Sequence, residues 1–325
     1  MAVPGSRRRF LQGAVAVVAG AASACARPEQ PYPGREMRLI VHAAPGGLSD
    51  TVARYTARGV NDRLGVPVVC ENRVGAMGAV AFAVVRRSVA DGYTLGYAPV
   101  DLSIIPHMGY TDITADDFDL LAMHHRAPAV LVVSASSPWH TLDDLRTQVR
   151  TQPGSVALGT SGPASVWQIA GLSFAQRAGG RFIYVPFPGS GPAVTALLGN
   201  HIHAVVAGVP EVQAVVRAGV VRMLGLMGDT RSPVFPDVPT FREQGLDMHF
   251  EAWGGFMVPR GVPSERRVLL GDAIRAAFDA PEFRAYCQTA GLEVHALDAG
   301  AFTAFMQSES SRFARLVRET GLVRT

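Results

Sequence analysis

Met37-Arg38-Leu39-Ile40-Val41-His42-Ala43-Ala44-Pro45-Gly46-Gly47-Leu48-Ser49-Asp50 is a short apolar run that breaks at a proline-glycine turn and opens into a longer amphipathic stretch. The run predicts a strand over 37–42 and the stretch a helix over 49–64, with the turn between them. The same grammar continues with strands at 66–70 and 94–97 and a helix at 78–88. From Phe118 it restarts: strands at 120–123 and 129–133, a helix at 142–150 entered through Thr141 as cap, then 156–158, a helix at 165–178, 182–185, a helix from 191 to 198, and strands at 203–207 and 223–227. Strands that alternate with longer helices predict an α/β fold of mostly parallel sheets flanked by helices.

The stretch from Asp229 to Pro239 is dense in proline, and the tail beyond Ser264 is helical again, over 273–278, 281–289 and 301–319. That tail is too helical to complete a sheet of its own, so it is expected to return to the first unit. The predicted organisation is two lobes, the first built from residues 31–102 and 230–325 and the second from residues 103–229. The chain then crosses between lobes twice, which is the geometry of a two-segment hinge.

The turn at Ala44, Pro45, Gly46 and Gly47 has the makings of an anion cradle. Its glycines let the backbone turn tightly with N–H groups exposed, Ser49 or Asp50 can cap the helix, and the positive end of the helix dipole faces the turn. A strand-to-helix turn favours such residues for folding reasons alone. Recurrence argues for more than folding. Gly159-Thr160-Ser161-Gly162-Pro163-Ala164-Ser165 occupies the same place in the second unit, and Pro188-Gly189-Ser190-Gly191-Pro192 repeats it. Facing turns of this kind would grip a carboxylate through backbone N–H and hydroxyl donors. Trp253, in Trp253-Gly254-Gly255-Phe256, reads as a cleft edge, whereas Trp167 and Phe256 read as core.

Composition narrows the alternatives. The 325 residues are 48% hydrophobic and 18% charged, as in a compact protein. Arg7-Arg8-Arg9-Phe10-Leu11 ahead of the apolar run from Ala14 to Ala22 predicts a twin-arginine export signal over residues 1–24. Cys25, after Ala22-Ser23-Ala24, is a candidate for lipid attachment. Loss of the three arginines takes the formal charge from +3 to 0. The surplus that would speak for nucleic acid or an anionic membrane surface therefore belongs to the signal, and no nucleic-acid partner is expected. Cys70 and Cys287 are left, paired or free.

Every basic residue is an arginine. Without lysine there is no pyridoxal Schiff base and no Walker phosphate-binding lysine, so no cofactor of either kind is expected. Neither Ser161 nor Ser190 sits in a Gly-x-Ser-x-Gly elbow, which removes the nucleophile of an α/β-hydrolase and argues against an enzyme. His201 with His203, and His124 with His125, lack standard zinc spacing, so no metal is expected.

In its ordered motifs the chain resembles the receptor family of tripartite tricarboxylate transporters, the Bug-type periplasmic receptors. The resemblance runs through Tyr32-Pro33, Ala44-Pro45-Gly46-Gly47 with Asp50, Glu71-Asn72-Arg73, Asp91-Gly92-Tyr93-Thr94-Leu95, Val185-Pro186-Phe187 with Gly189-Ser190, Arg231-Ser232-Pro233, Pro236-Asp237-Val238-Pro239-Thr240 and Pro259-Arg260-Gly261-Val262-Pro263. It implies a monomeric two-lobe receptor of the type II periplasmic-binding architecture. The turns at Pro45 to Asp50 and Gly159 to Ser165 would pinch a ligand carboxylate, and the loaded receptor would dock on the membrane permease of an ion-driven transporter. Together the residue reading and the resemblance make Ala44, Gly46, Gly47, Ser49, Asp50, Thr160, Ser161, Gly162, Ser165, Gly189, Ser190 and Trp253 the candidate ligand-binding residues. The alternatives are a ligand-sensing role acting on a sensor kinase and, third, an exported enzyme on the same scaffold. Trp167, Gln168, His203 and Ala207-Gly208 depart from the family's usual polar residues, which implies a less polar distal pocket and an apolar monocarboxylate.

Overall fold

The computed structural model describes residues 31–109 and 111–322. The expected export signal and Cys25 lie outside them. The chain divides at Gly34; the short unit ahead of it contributes residues 31–34, with a cis Tyr32–Pro33 bond, and all that follows concerns residues 35–322.

Strand β1 (Met37–Val41) is followed by helix α1 (Leu48–Leu64), β2 (Val68–Asn72), α2 (Ala79–Arg86), β3 (Thr94–Pro99) and the short α3 (Asp101–Ile104). Next come β4 (Phe118–Ser134), α4 (Leu142–Thr151), β5 (Ala157–Thr160), α5 (Val166–Ala178), β6 (Ile183–Pro186), α6 (Ser190–Leu198), β7 (Ala204–Gly208), α7 (Val209–Arg217) and β8 (Val221–Leu226). The chain ends with β9 (Glu251–Pro259), α8 (Ser264–Asp279), α9 (Pro281–Ala290), β10 (Glu293–Leu297) and α10 (Ala299–Glu319). Local chemistry explains the boundaries. Helix α1 buries Val52, Ala53, Thr56, Ala57 and Val60 at helical spacing and stops at left-handed Gly65. Thr141 and Asp144 close a reciprocal capping box on α4, and the Asp298 carboxylate accepts from Ala301 N on α10.

The sheet runs β2-β1-β3-β9-β4-β7-β5-β6, with β8 and β10 also paired to β4. Parallel ladders join β1 to β2 and β3, and β5 to β6 and β7. Between these two parallel groups the ladders are antiparallel and centre on β4. The result is the expected α/β architecture, one curled sheet flanked by helices with a parallel βα group on either side of β4 and β9.

The 17-residue β4 fuses the two strands predicted at 120–123 and 129–133. The residues between them, His124-His125-Arg126, look like a loop in sequence, yet both histidines are buried. His124 lies among Tyr97, Phe256, Phe278 and Phe283, so an aromatic shell hides what hydropathy reads as a break. Up to Pro128, β4 pairs with β9; from Ala129 it pairs with β7 and β8. Pro128 has no N–H to lose where the ladder changes partners. Ala129 N–H takes up the next bond by donating to the Phe250 carbonyl at 2.8 Å.

Four elements escape the sequence pattern: α3, α7, β9 and β10. In β9 the reading of Trp253 as a cleft edge is corrected. Its indole is buried, stands edge-on to Phe302 and Phe305, and donates to the Glu309 carboxylate at 3.1 Å. A Cβ on Gly254 would sit 2.0 Å from the Tyr97 hydroxyl. Gly254 thus serves close packing of β9 on β3, and Gly255, whose Cβ would lie 2.5 Å from the Ala122 carbonyl oxygen and from the Phe302 ring, close packing on β4 and α10. Cys70 and Cys287 are both free thiols.

Candidate functional site

The carboxyl ends of β1, β2 and β3 meet at one sheet edge, and those of β5, β6 and β7 at another. Open α/β sheets bind ligands at such edges.

At the first edge the Ala44 to Gly47 turn is exposed. Its shape is set from beneath by Asp50, whose buried carboxylate accepts from Gly46 N at 2.9 Å, from Asn72 Nδ2 at 2.8 Å and from Arg54 Nε and Nη2 at 2.9 and 3.0 Å. Asn72 also donates to the Ala43 carbonyl at 2.8 Å. Burial alone would raise the Asp50 carboxyl, but the bonds from Arg54, Gly46 and Asn72 outweigh it and hold the group below its ordinary range. The helix cap itself is Gly47, with no side-chain cap bond, which corrects the expectation that Ser49 or Asp50 would cap. Asp50 is spent on the turn, leaving the leading N–H groups of α1 without intrahelical acceptors.

Ser49 is hydrogen-bonded to the buried Tyr97 phenol, whose acidity burial suppresses. His42, stacked on Tyr97, brings Nε2 to 3.8 Å from Asp101. Burial pushes His42 down to about 4 and Asp101 up to about 6. At neutral pH a neutral imidazole and a carboxylate therefore stand at the root of the turn.

At the second edge, Thr160 and Ser165 are buried, Ser161 and Gly162 half-buried and Pro163 exposed. Ser165 caps α5 by accepting from Gln168 N at 3.3 Å, and the Gln168 side chain accepts from Ala164 N. Gly162 has φ +132°, a region that an L side chain rarely adopts. Phe187 N donates to the Thr160 carbonyl at 2.9 Å, which fastens the third turn, Pro188 to Ser190, against the second. Ser190 is 5% exposed at the start of α6, and its Oγ has no hydrogen bond of good geometry. Beside it stands the Glu211 carboxylate, which accepts from Gly208 N.

The three turns named from sequence are therefore placed at the two carboxyl edges, whereas Trp253 is core. The structure adds His42, Tyr97, Asp101 and Glu211. Only position relative to the glycine turns could have flagged the first three, and an unrecognised helix concealed the fourth. His203 lies at the opposite end of β7, where Nδ1 accepts from Ala157 N at 2.9 Å. Among the described residues no cluster of three His, Cys, Asp or Glu side chains is arranged to hold a metal. The cavity of about 260 Å³ lined by Asp116, Asp119, Arg260 and Arg267 lies where β4 begins, and none of the three turns lines it.

The sequence profile described as "Tripartite tricarboxylate transporter family receptor" matches residues 52–322. BugT of Bordetella pertussis is 34% identical over 89% of this chain and 90% of its own length. Two solved structures from Rhodopseudomonas palustris superpose closely. MatC with bound malate is 27% identical with a TM-score of 0.80, covering 88% of this chain and 100% of that one. A second protein, solved with adipate, is 25% identical with a TM-score of 0.82, covering 89% and 98%.

Proposed function

The chain belongs to the tripartite tricarboxylate transporter receptor family, and from that premise we propose that it captures a small carboxylate between its lobes and delivers it to the membrane subunits of such a transporter. The observation that carries the reading is the set of glycine turns at the carboxyl edges of both parallel groups. The first is held in shape by Asp50, whose carboxylate takes up the Gly46 N–H and the Asn72 amide, so that the leading N–H groups of α1 are left for a ligand. One carboxylate end of the ligand would lie between Ala44, Gly46, Gly47 and Ser49 on one side and Thr160, Ser161, Gly162 and Ser165 on the other. Gly189 and Ser190 would face its far end. Asp50 acts here as a positioning residue.

Register supports placing the two crossings between lobes side by side, at Pro128 in β4 and Glu251 in β9, which pair with each other. Lobe 1 would then comprise residues 35–127 and 251–322, and lobe 2 residues 128–250. Closure about these adjacent strands would bring the two edges onto the ligand. The family and the export signal expected in the sequence support a periplasmic receptor acting as a monomer, with Cys25 as its lipid attachment point.

Isothermal titration and thermal melting of the mature protein against carboxylic acids and their uncharged amides test the reading. A ligand at about 100 times Kd stabilises the folded state by about 2.7 kcal/mol. The expected outcome is a raised Tm with one class of acids and none with the amides. Equal responses to acid and amide would sink it.

A further inference from the structure

We infer that Glu211 makes the second-lobe end of the site select against a second carboxylate, so that the ligand is a monocarboxylate whose far end bears a hydrogen-bond donor, a hydroxyl or an amine. The inference rests on the receptor reading and names the substrate class of that same site.

Helices α6 and α7, nine residues each, begin at the carboxyl ends of β6 and β7 and turn their N-termini to one corner. Such a corner would ordinarily suit an anion. Here the chain supplies its own. Glu211, at the third position of α7, folds back to accept from Gly208 N. Its carboxylate also lies beside the buried Ser190 hydroxyl, which lacks a hydrogen bond of good geometry. A Cβ built on Gly208 would fall 3.1 Å from Glu211 Oε2 and 3.6 Å from the Trp167 ring. The corner is therefore walled by an indole and floored by a carboxylate.

Burial raises the Glu211 carboxyl, whereas the Gly208 and Ser190 donors pull it back. Among the described residues no arginine or lysine is paired with it. A ligand carboxylate arriving there would meet like charge with no cation between, whereas an O–H or N–H could donate to the free lone pairs of Glu211 and leave Ser190 a partner. The loss of polar residues at Ala207 and Gly208 predicted an apolar corner. Glu211 nevertheless brings an acid beside Gly208 from the first turn of the next helix.

Matched acids provide the test: at each chain length from succinate to adipate, the dicarboxylate, the ω-hydroxy acid and the ω-amino acid are titrated into wild-type protein and into Glu211→Gln. Melting curves verify folding, and Glu211→Ser serves as a second variant. At the best-fitting length, wild type should prefer the hydroxy or amino acid over the dicarboxylate by about tenfold or more. Both variants should narrow that ratio by about tenfold. If the amino acid alone is preferred the far-end donor is cationic; if both are, it is the donor itself that counts. A wild-type preference for the dicarboxylate, or a ratio that both folded variants leave unchanged, overturns the inference while leaving the receptor reading intact. No binding by any acid of the series refutes the receptor reading and the inference together.

Discussion

Replacing Asp50 by alanine tests whether the first turn owes its shape to that one carboxylate. The substitution removes acceptors for Gly46 N, Asn72 Nδ2 and the Arg54 guanidinium. A hydrogen bond to a charged group contributes about 1.5–3 kcal/mol. The Arg54 side chain is 52% exposed and rehydrates when released, so its pair adds less than about 1 kcal/mol. Gly46 and Asn72 dominate, and the sum is about 3 kcal/mol after allowing for water that reaches the exposed turn. At about 2.1 cal/mol/K of unfolding entropy per residue, about 1.6 °C per kcal/mol for about 300 residues, Tm should fall by about 5 °C. Carboxylate affinity should fall by about tenfold or more, because N–H groups that must be re-ordered on binding cost free energy that a fixed turn does not. Asp50→Asn keeps one acceptor and should lie between. Calorimetric melting and titration read both effects. A folded Asp50→Ala protein that binds within twofold of wild type would refute the assignment of Asp50 as the positioning residue. The sign with pH follows from the lowered carboxyl: its contribution is present above the ordinary carboxylate range and disappears as pH falls through the folded value.

Asp101, raised to about 6 by burial, supplies a pH dependence of binding. Below about 6 it is protonated, its negative charge leaves the root of the turn, and affinity for a fully ionised carboxylate should rise; Asp101→Asn should flatten the titration profile, and an unchanged slope would disprove the link. Gly162→Ala forces an L residue to φ +132° with no side chain closer than ordinary contact, so the cost is conformational, about 1–3 kcal/mol, and binding should weaken with it. Gly191→Ala, with nothing within 4 Å and no positive φ, should leave both melting and titration as in wild type. Trp253→Ala should cost about 3–5 kcal/mol of stability with little change in Kd for the protein that remains folded; a large selective loss of affinity would restore Trp253 to the cleft.

The outer parts of the fold are legible because each βα unit declares itself locally: β1 and α1, or β5 and α5, carry their period, turn and cap within about twenty residues. The centre is not legible for the same reason turned around. Strand β4 hides a histidine pair whose burial depends on Phe278 and Phe283, far along the chain. Strand β9 places Gly254 against Tyr97 of β3 and Gly255 against Phe302 of α10, and β10 exists only as a partner of β4. In the site, glycine turns are readable because backbone geometry restricts residue choice. The family motif Glu71-Asn72-Arg73 is readable as a motif but not as a mechanism. Only the structure shows Asn72 tying the Ala43 carbonyl to Asp50, and Glu71 held down to about 2 chiefly by its bond to Arg38.

A receptor that closes about two adjacent strands must bend there without losing its ladder, and the side chains gathered at the proposed crossing suit that demand. Arg126 and Glu251, on neighbouring strands, stand 3.2 Å apart, and the buried Glu251 also has His249 Nε2 at 3.5 Å. The Glu251 bond raises His249, against the opposing effect of burial, and Asp229 lies 3.2 Å from its Nδ1. From α10, Arg312 donates to the His249 carbonyl and pairs with Glu309, the acceptor of the Trp253 indole. The last helix thus grips the segment entering β9 and the first turn of the strand itself. Ion pairs tolerate small changes of angle better than a close-packed apolar seam, which has discrete arrangements. A crossing clamped by charge can therefore flex while its ends stay joined. On the proposed reading, carboxylate capture would fall to backbone at the two edges, motion to the charged crossing, and discrimination to the corner at Glu211.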